Sequence, residues 1–387
     1  MNTVVPQREF YLNVLSLKIK LKNLLFRRQF ERYLKEQKAL QDSYDLSEIR
    51  KAQKIVLFVL PSEEVVSGGI LSIFSLCHYT RKILPDHLVL LVTEAGNKTY
   101  AGSSWFCSDE KIYRWEQVID SMQNAESVIV HVPEYMSGEF YGKLPESSRK
   151  VLKELSHLII NVLNQNSQML PPVEKTQKLF ELSPTVTQTL AFSSKNIQKL
   201  ANQYQMPITT IFSYLDLSKW KPILFSQKEK LILLSPDKNV YRKNVVKVLK
   251  KGLPDFELVT IKNVCFEQYM SLVCRAFAVI SFGEGFDGYF LQPSFVKTMS
   301  FAVYNETFFP NNDFLALPNI YVSYAEMSQN IVRDIQSLVY DQTGYYETIR
   351  TLRSMDTEHS EQRLIELLTR FYRQDYECTP KQGNDCE

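Results

Sequence analysis

No Cys-x-x-Cys pair, His-Glu-x-x-His, Gly-x4-Gly-Lys-Ser/Thr loop, Gly-x-Ser-x-Gly elbow or Asp-x-Asp occurs in this sequence. These absences remove, in turn, paired-cysteine metal or redox sites, zinc peptidases, P-loop nucleotidases, α/β-hydrolases and the common carboxylate pair for a divalent metal. An excess of charge is also missing. Lys and Arg number 45 against 43 Asp and Glu, a net charge of +2, so no nucleic acid or other polyanion is implied as partner. No apolar run approaches the roughly 18 residues that would span a bilayer. Residues 1–17 lack the basic start and cleavage site of a secretory signal. The six cysteines, Cys77, Cys107, Cys265, Cys274, Cys378 and Cys386, lie in apolar stretches or the tail. The expectation is reduced thiols in a cytoplasmic protein. Glycine is scarce, with 12 in 387 residues, yet Gly283, Gly285 and Gly288 fall within six positions.

What is present is an alternation. Short apolar runs such as KIVLFVL from Lys54 and LVLLVT from Leu88 suit strands buried on both faces. Helix-like segments separate them, and the plan continues through ESVIVHV (126–132), LIINVL (158–163), LILLS (231–235) and residues 256–261, 276–282 and 301–304. Strands alternating with helices at this spacing predict parallel sheets covered on both sides, with right-handed crossovers placing the post-strand loops on one edge. A length of 387 residues suits two such domains.

The three clustered glycines follow the apolar run Ala276–Ile280 and precede a predicted helix, with Glu284 and Asp287 among them. A glycine-rich turn here lets backbone amides approach a ligand at the positive end of the helix. Gln292 lies eight positions after Glu284, just over two helical turns, so both side chains address one side. By residues alone, an ordinary strand-to-helix turn would also fit.

This arrangement resembles the donor-sugar site of the large retaining family of GT-B glycosyltransferases, whose signature is a Glu in a glycine-rich turn and a second Glu eight residues later. Glu284 matches the first; Gln292 departs from the second and would hold the ribose less strongly than a carboxylate. The resemblance implies an α/β, two-domain GT-B fold with facing Rossmann-like halves: an acceptor domain at 54–222, a nucleotide-sugar domain at 223–355, and a C-terminal helix and mobile tail at 356–387. It implies Glu284 and His131 as catalytic residues. Gly285, Phe286, Asp287, Gly288 and Gln292 would surround the donor, with Lys238 and Arg242 on its diphosphate and Gly68 and Gly69 at a first, paired-glycine loop. Glu134 and Tyr135, on the loop after His131, would line the acceptor side. A histidine after a strand is by itself more often structural. No metal or cofactor is implied beyond the nucleotide-sugar substrate.

Residues 8–54 stand apart. From Lys18 to Lys38 there are eight basic residues and two acidic ones, interleaved with Leu, Ile and Phe. Such a basic amphipathic helix either lies on an anionic membrane surface or packs as an arm on the body. The function expected is sugar transfer from a nucleotide-sugar to a glycan or lipid-linked acceptor, as in bacterial surface polysaccharide synthesis. The alternatives are a nucleotide-sugar epimerase, an inverting GT-B transferase, or a non-catalytic scaffold. The epimerase is disfavoured because the chain offers few acid/base groups for a cleft.

Overall fold

In the computed structural model, residues 28–62, 67–100, 110–192, 194, 196–262 and 264–381 are described. Among these described residues the apolar runs become twelve strands in two sheets whose named strands all pair in parallel. The first sheet contains β1 (Lys54–Leu60), β2 (Leu88–Thr93), β3 (Ile112–Tyr113), β4 (Ser127–Pro133), β5 (His157–Asn164), β6 (Thr185–Leu190) and β7 (Ile208–Thr210). Its order is β3-β2-β1-β4-β5-β6-β7. The second contains β8 (Glu229–Leu234), β9 (Glu257–Thr260), β10 (Ala276–Ile280), β11 (Met299–Val303) and β12 (Ile320–Tyr321), in the order β12-β11-β10-β8-β9. The expected pair of Rossmann-like domains is what the chain adopts.

Strand β1 shows why. Successive side chains leave opposite faces of a sheet. Ile55, Leu57 and Val59 enter one core, with Trp115 and Phe140. Val56, Phe58 and Leu60 enter another, with Ile73 and Leu76 of the helix Gly68–Ile83. With both faces covered, the whole run must be apolar. The second sheet is buried in the same way, between one core with the helices Arg242–Gly252, Tyr324–Tyr340 and Gln342–Met355 and another with Phe266–Arg275.

Three connections differ from expectation. Residues Glu134–Lys143 form a helix rather than a loop, so Glu134 sits in its first turn. Pro133 stands before it at the N-cap, where its fixed backbone angle starts a helix without harm. The second difference is at the end of the chain. Cys378 pairs with the edge strand at Ile208, and Lys381 N–H donates to Asn202 Oδ1 at 2.9 Å. The mobile tail expected after Cys378 is therefore docked at 379–381. The third concerns the basic N-terminal region, of which 8–27 lies outside the described residues. Residues 28–42 are helical and mostly exposed. Its end is anchored: Gln41 donates to Ile112 O at 2.8 Å, and Asp42 pairs with Arg114. Among the described residues, no helix is long and apolar enough to cross a membrane.

The last helix, Glu361–Tyr372, returns to the first domain. Leu364, Leu367, Leu368 and Phe371 are buried in the core that holds Phe58 and Leu76.

Candidate functional site

Each sheet reverses its winding once, between β1 and β4 in the first and between β8 and β10 in the second. Loops at the carboxyl ends of strands part at such points and leave a crevice. Glu134 follows β4, and the glycine turn follows β10.

The turn is set by its own chemistry. Gly285 has φ of +88°, and a Cβ there would lie 2.5 Å from Val303 O and 2.9 Å from the Phe309 ring. Only glycine takes that conformation in that space. Asp287 caps the helix Gly288–Phe295, accepting from Phe290 N–H at 3.1 Å, while Ser281 Oγ donates to its other oxygen at 2.7 Å. Asp287 is therefore committed to holding the turn. Gln292 folds back over Gly288, its amide nitrogen 2.9 Å from where a Cβ would be. Phe286 packs against Phe309, Phe314 and His359.

Glu284 is half-buried and reaches the other domain. Its Oε1 accepts from Asn166 Nδ2 at 3.0 Å, and Asn166 lies just beyond β5. Burial, then the charges of Asp287 and Asp237, push the Glu284 carboxyl upward, against the pull of the Asn166 hydrogen bond. Asp287 is raised to about 6, first by burial and also by Asp237. Asp237, after β8, has a buried Oδ2 with no hydrogen-bond partner.

On the facing side, Glu134 is 5% exposed. Burial raises its carboxyl to about 7, opposed by its own backbone amide and those of Gln165 and Asn166. The same Asn166 thus meets Glu134 through its backbone and Glu284 through its side chain. Gly69 adjoins this loop, since a Cβ on it would strike the Gln165 amide oxygen. Gly68 is exposed, with nothing within 4 Å of where its Cβ would be. Tyr135 is 45% exposed on the same helix as Glu134. Through Asn166, Glu134 in the first domain is therefore linked to Glu284 in the second, whose carboxyl feels Asp237 and Asp287.

Two expected site residues are engaged by neighbouring side chains and backbone within their own domains. His131 is 2% exposed. Asn161 Nδ2 donates to its Nδ1 at 3.0 Å, and its Nε2 meets Tyr372 Oη at 3.0 Å. Its ring stacks on Phe58 at 4.4 Å. Burial drops it to about 3, so it is neutral. With both nitrogens engaged inside the first domain, His131 does not face the crevice as expected. It links the sheet to the C-terminal helix. The second residue is Arg242. Its guanidinium donates to Ser235 O, to Asp237 O at 3.4 Å and to Thr260 Oγ1 at 2.9 Å. It ties the loop after β8 to the end of β9, which takes most of its donors away from a diphosphate. Lys238 is exposed on the same loop.

Asn166 and Asp237 were not singled out from the sequence. Both follow apolar strand runs, in the polar stretches NQNSQ and SPDKN, and that position was the available signal.

No protein-family model matches this sequence, and no curated protein matches it. The chain is similar to three solved structures in particular. One is a glycosyltransferase from Rickettsia africae (11% identity, TM-score 0.48, 83% of this chain and 98% of that one). Another is a sucrose-phosphate synthase from Thermosynechococcus elongatus (9%, 0.48, 83% and 98%). The third is a UDP-GlcNAc 2-epimerase from Neisseria meningitidis bound to UDP-GlcNAc (9%, 0.43, 83% and 98%). Likenesses this distant carry no argument about chemistry, and the fold assignment rests on the strand order of the chain itself.

Proposed function

We propose that this protein is a metal-independent glycosyltransferase, moving a sugar from a nucleotide-sugar to a glycan or lipid-linked acceptor in the crevice between its domains. The observation that carries the reading is Glu284. It stands on a glycine turn at the switch point of the second sheet and is hydrogen-bonded to the first domain through Asn166. In this reading Glu284 faces the transferred sugar, and Gln292 holds the ribose. The diphosphate lies by Lys238 and the positive end of the helix Arg242–Gly252, which favour the charge that grows on the leaving group. Glu134, on the acceptor side, takes the proton of the attacking hydroxyl, a task suited to a carboxyl poised near neutrality. Retention of configuration and a bacterial surface polysaccharide or glycolipid product follow from the family resemblance alone. The basic region at 8–54, whose helix at 28–42 is mostly exposed, would hold the enzyme on an anionic membrane beside a lipid-linked acceptor.

The test is a thermal-shift screen of UDP-, GDP-, dTDP- and CMP-sugars, followed by transfer or donor hydrolysis with the stabilising donor. Glu284→Ala is expected to lose about 100-fold or more in turnover while keeping its fold. Unchanged turnover would leave the reading without a catalyst.

A second reading has one observation in its favour. Carboxyls shifted upward at both switch points, Glu134 and Glu284, are also what a nucleotide-sugar 2-epimerase would use to move a proton. Release of epimerised sugar nucleotide without acceptor would decide for it.

A further inference from the structure

The carboxyl edge of the second sheet carries an aromatic stack that the site described so far does not use. Tyr241 immediately precedes the helix Arg242–Gly252, Tyr324 opens the helix Tyr324–Tyr340, and Phe282 follows β10. Tyr241 and Tyr324 are near-parallel at 15° with centroids 5.3 Å apart. Tyr324 and Phe282 are near-parallel at 7° and 6.3 Å. The Arg242 guanidinium lies 5.0 Å from the Phe282 ring centre.

The inner members of this stack are fixed. Phe282 is 1% exposed, and its carbonyl accepts from Asn239 Nδ2 at 3.1 Å and from Tyr324 Oη at 3.3 Å. The outer member is not covered. Tyr241 is 56% exposed, with Val240 at 86% and Val322 at 65% beside it in sequence or on the adjoining loop. An ordered ring backed by two more, with its own surface in water, forms a flat apolar platform at the place where this fold binds ligands. Flat heterocycles stack on such platforms, and they do so whatever their hydrogen-bonding edge, because every base has a π-face.

The neighbours select a nucleotide over other flat ligands. Glu284 is two residues beyond Phe282, so a sugar at Glu284 and a ring on Tyr241 occupy two ends of adjoining loops. On the β8 loop that leads to Tyr241, Lys238 is exposed, and the N-terminal end of the eleven-residue helix carries the positive end of its dipole. Those suit a diphosphate.

We propose that Tyr241 is the stacking platform for the heterocyclic base of the donor nucleotide, with Tyr324 and Phe282 as its rigid backing. The proposal rests on the nucleotide-sugar reading above and adds to it the residue that grips the base. It also makes the platform indifferent to which base is present, so base choice must come from groups at the ring edge.

Calorimetric titration of the full chain with UDP, GDP, dTDP, CMP and inorganic pyrophosphate tests this. Tyr241→Ala is expected to weaken whichever nucleotide binds by at least about fivefold, while Tyr241→Phe keeps wild-type affinity because the ring and not the hydroxyl does the stacking. Pyrophosphate, which has no base, should bind both variants like the wild type. If Tyr241→Ala binds the nucleotide as the wild type does, the platform is wrong and the nucleotide-sugar reading stands. Equal weakening of nucleotide and pyrophosphate would show a disturbed loop and also overturn the platform. If no nucleotide binds the wild type, both the platform and the reading beneath it fall.

Discussion

His131 and Glu134 are three positions apart, and in both burial disfavours the charged form, with opposite consequences for stability. His131 titrates near 3 when folded and near 6.5 when unfolded. Its contribution is intact above pH 6.5 and is lost as pH falls toward 3, amounting to about 2 kcal/mol at pH 5. Urea denaturation at pH 7 and pH 5 should show that loss, and His131→Gln, which cannot titrate, should lack this part of the slope. Glu134 titrates near 7 when folded against 4.5 for a free carboxyl. Its contribution is intact below pH 4.5 and is lost as pH rises through 7, reaching about 3 kcal/mol at pH 8. Glu134→Gln is therefore expected to be more stable than the wild type at pH 8 and equal to it near pH 4.5, measured by the same denaturation. If Glu134 acts as base, that variant is also slow in turnover, so stability and activity part company at one residue.

At the scale of elements, most strands were legible because a strand with both faces covered has to be apolar throughout. Residues 88–93, 127–133 and 276–280 stand out for that reason. The helix Glu134–Lys143 was not legible. Its segment EYMSGEFYGK holds two glycines and no clear apolar period, and packing rather than propensity makes it helical. The two-residue strand β3 is too short to show any pattern. The glycine turn shows the converse, where three glycines announced a backbone no other residue accepts. Gly285→Ala must either abandon φ of +88° or push against Val303 O. It is expected to destabilise the protein by roughly 1–3 kcal/mol. A melting temperature equal to the wild type would mean the turn is free to rearrange.

For the whole molecule, the last helix is part of the first domain's core although it follows the second domain in sequence. Tyr372 Oη reaches Thr80 Oγ1 at 2.9 Å and His131 Nε2 at 3.0 Å, and Leu368 is 2% exposed. Leu368→Ala is expected to cost about 2–5 kcal/mol, as for other buried leucines. Because the lesion lies in the core around Phe58, protection of β1 amides in hydrogen exchange should fall with it. If only the C-terminal helix loses protection, the helix is an appendage and not a part of that core.

What the amino-acid order alone determined is the alternation of strands and helices, the presence of two sheets, and the glycine turn with its carboxylate. Each depends on neighbours within a dozen residues: apolar content, chain reversal, backbone freedom. Which residues share the crevice was decided only in three dimensions. Asn166 meets Glu284 across 118 positions, and His131 is turned inward by Tyr372 across 241. A side chain's ionisation and exposure depend on what packs against it, and those partners come from elements distant in the chain.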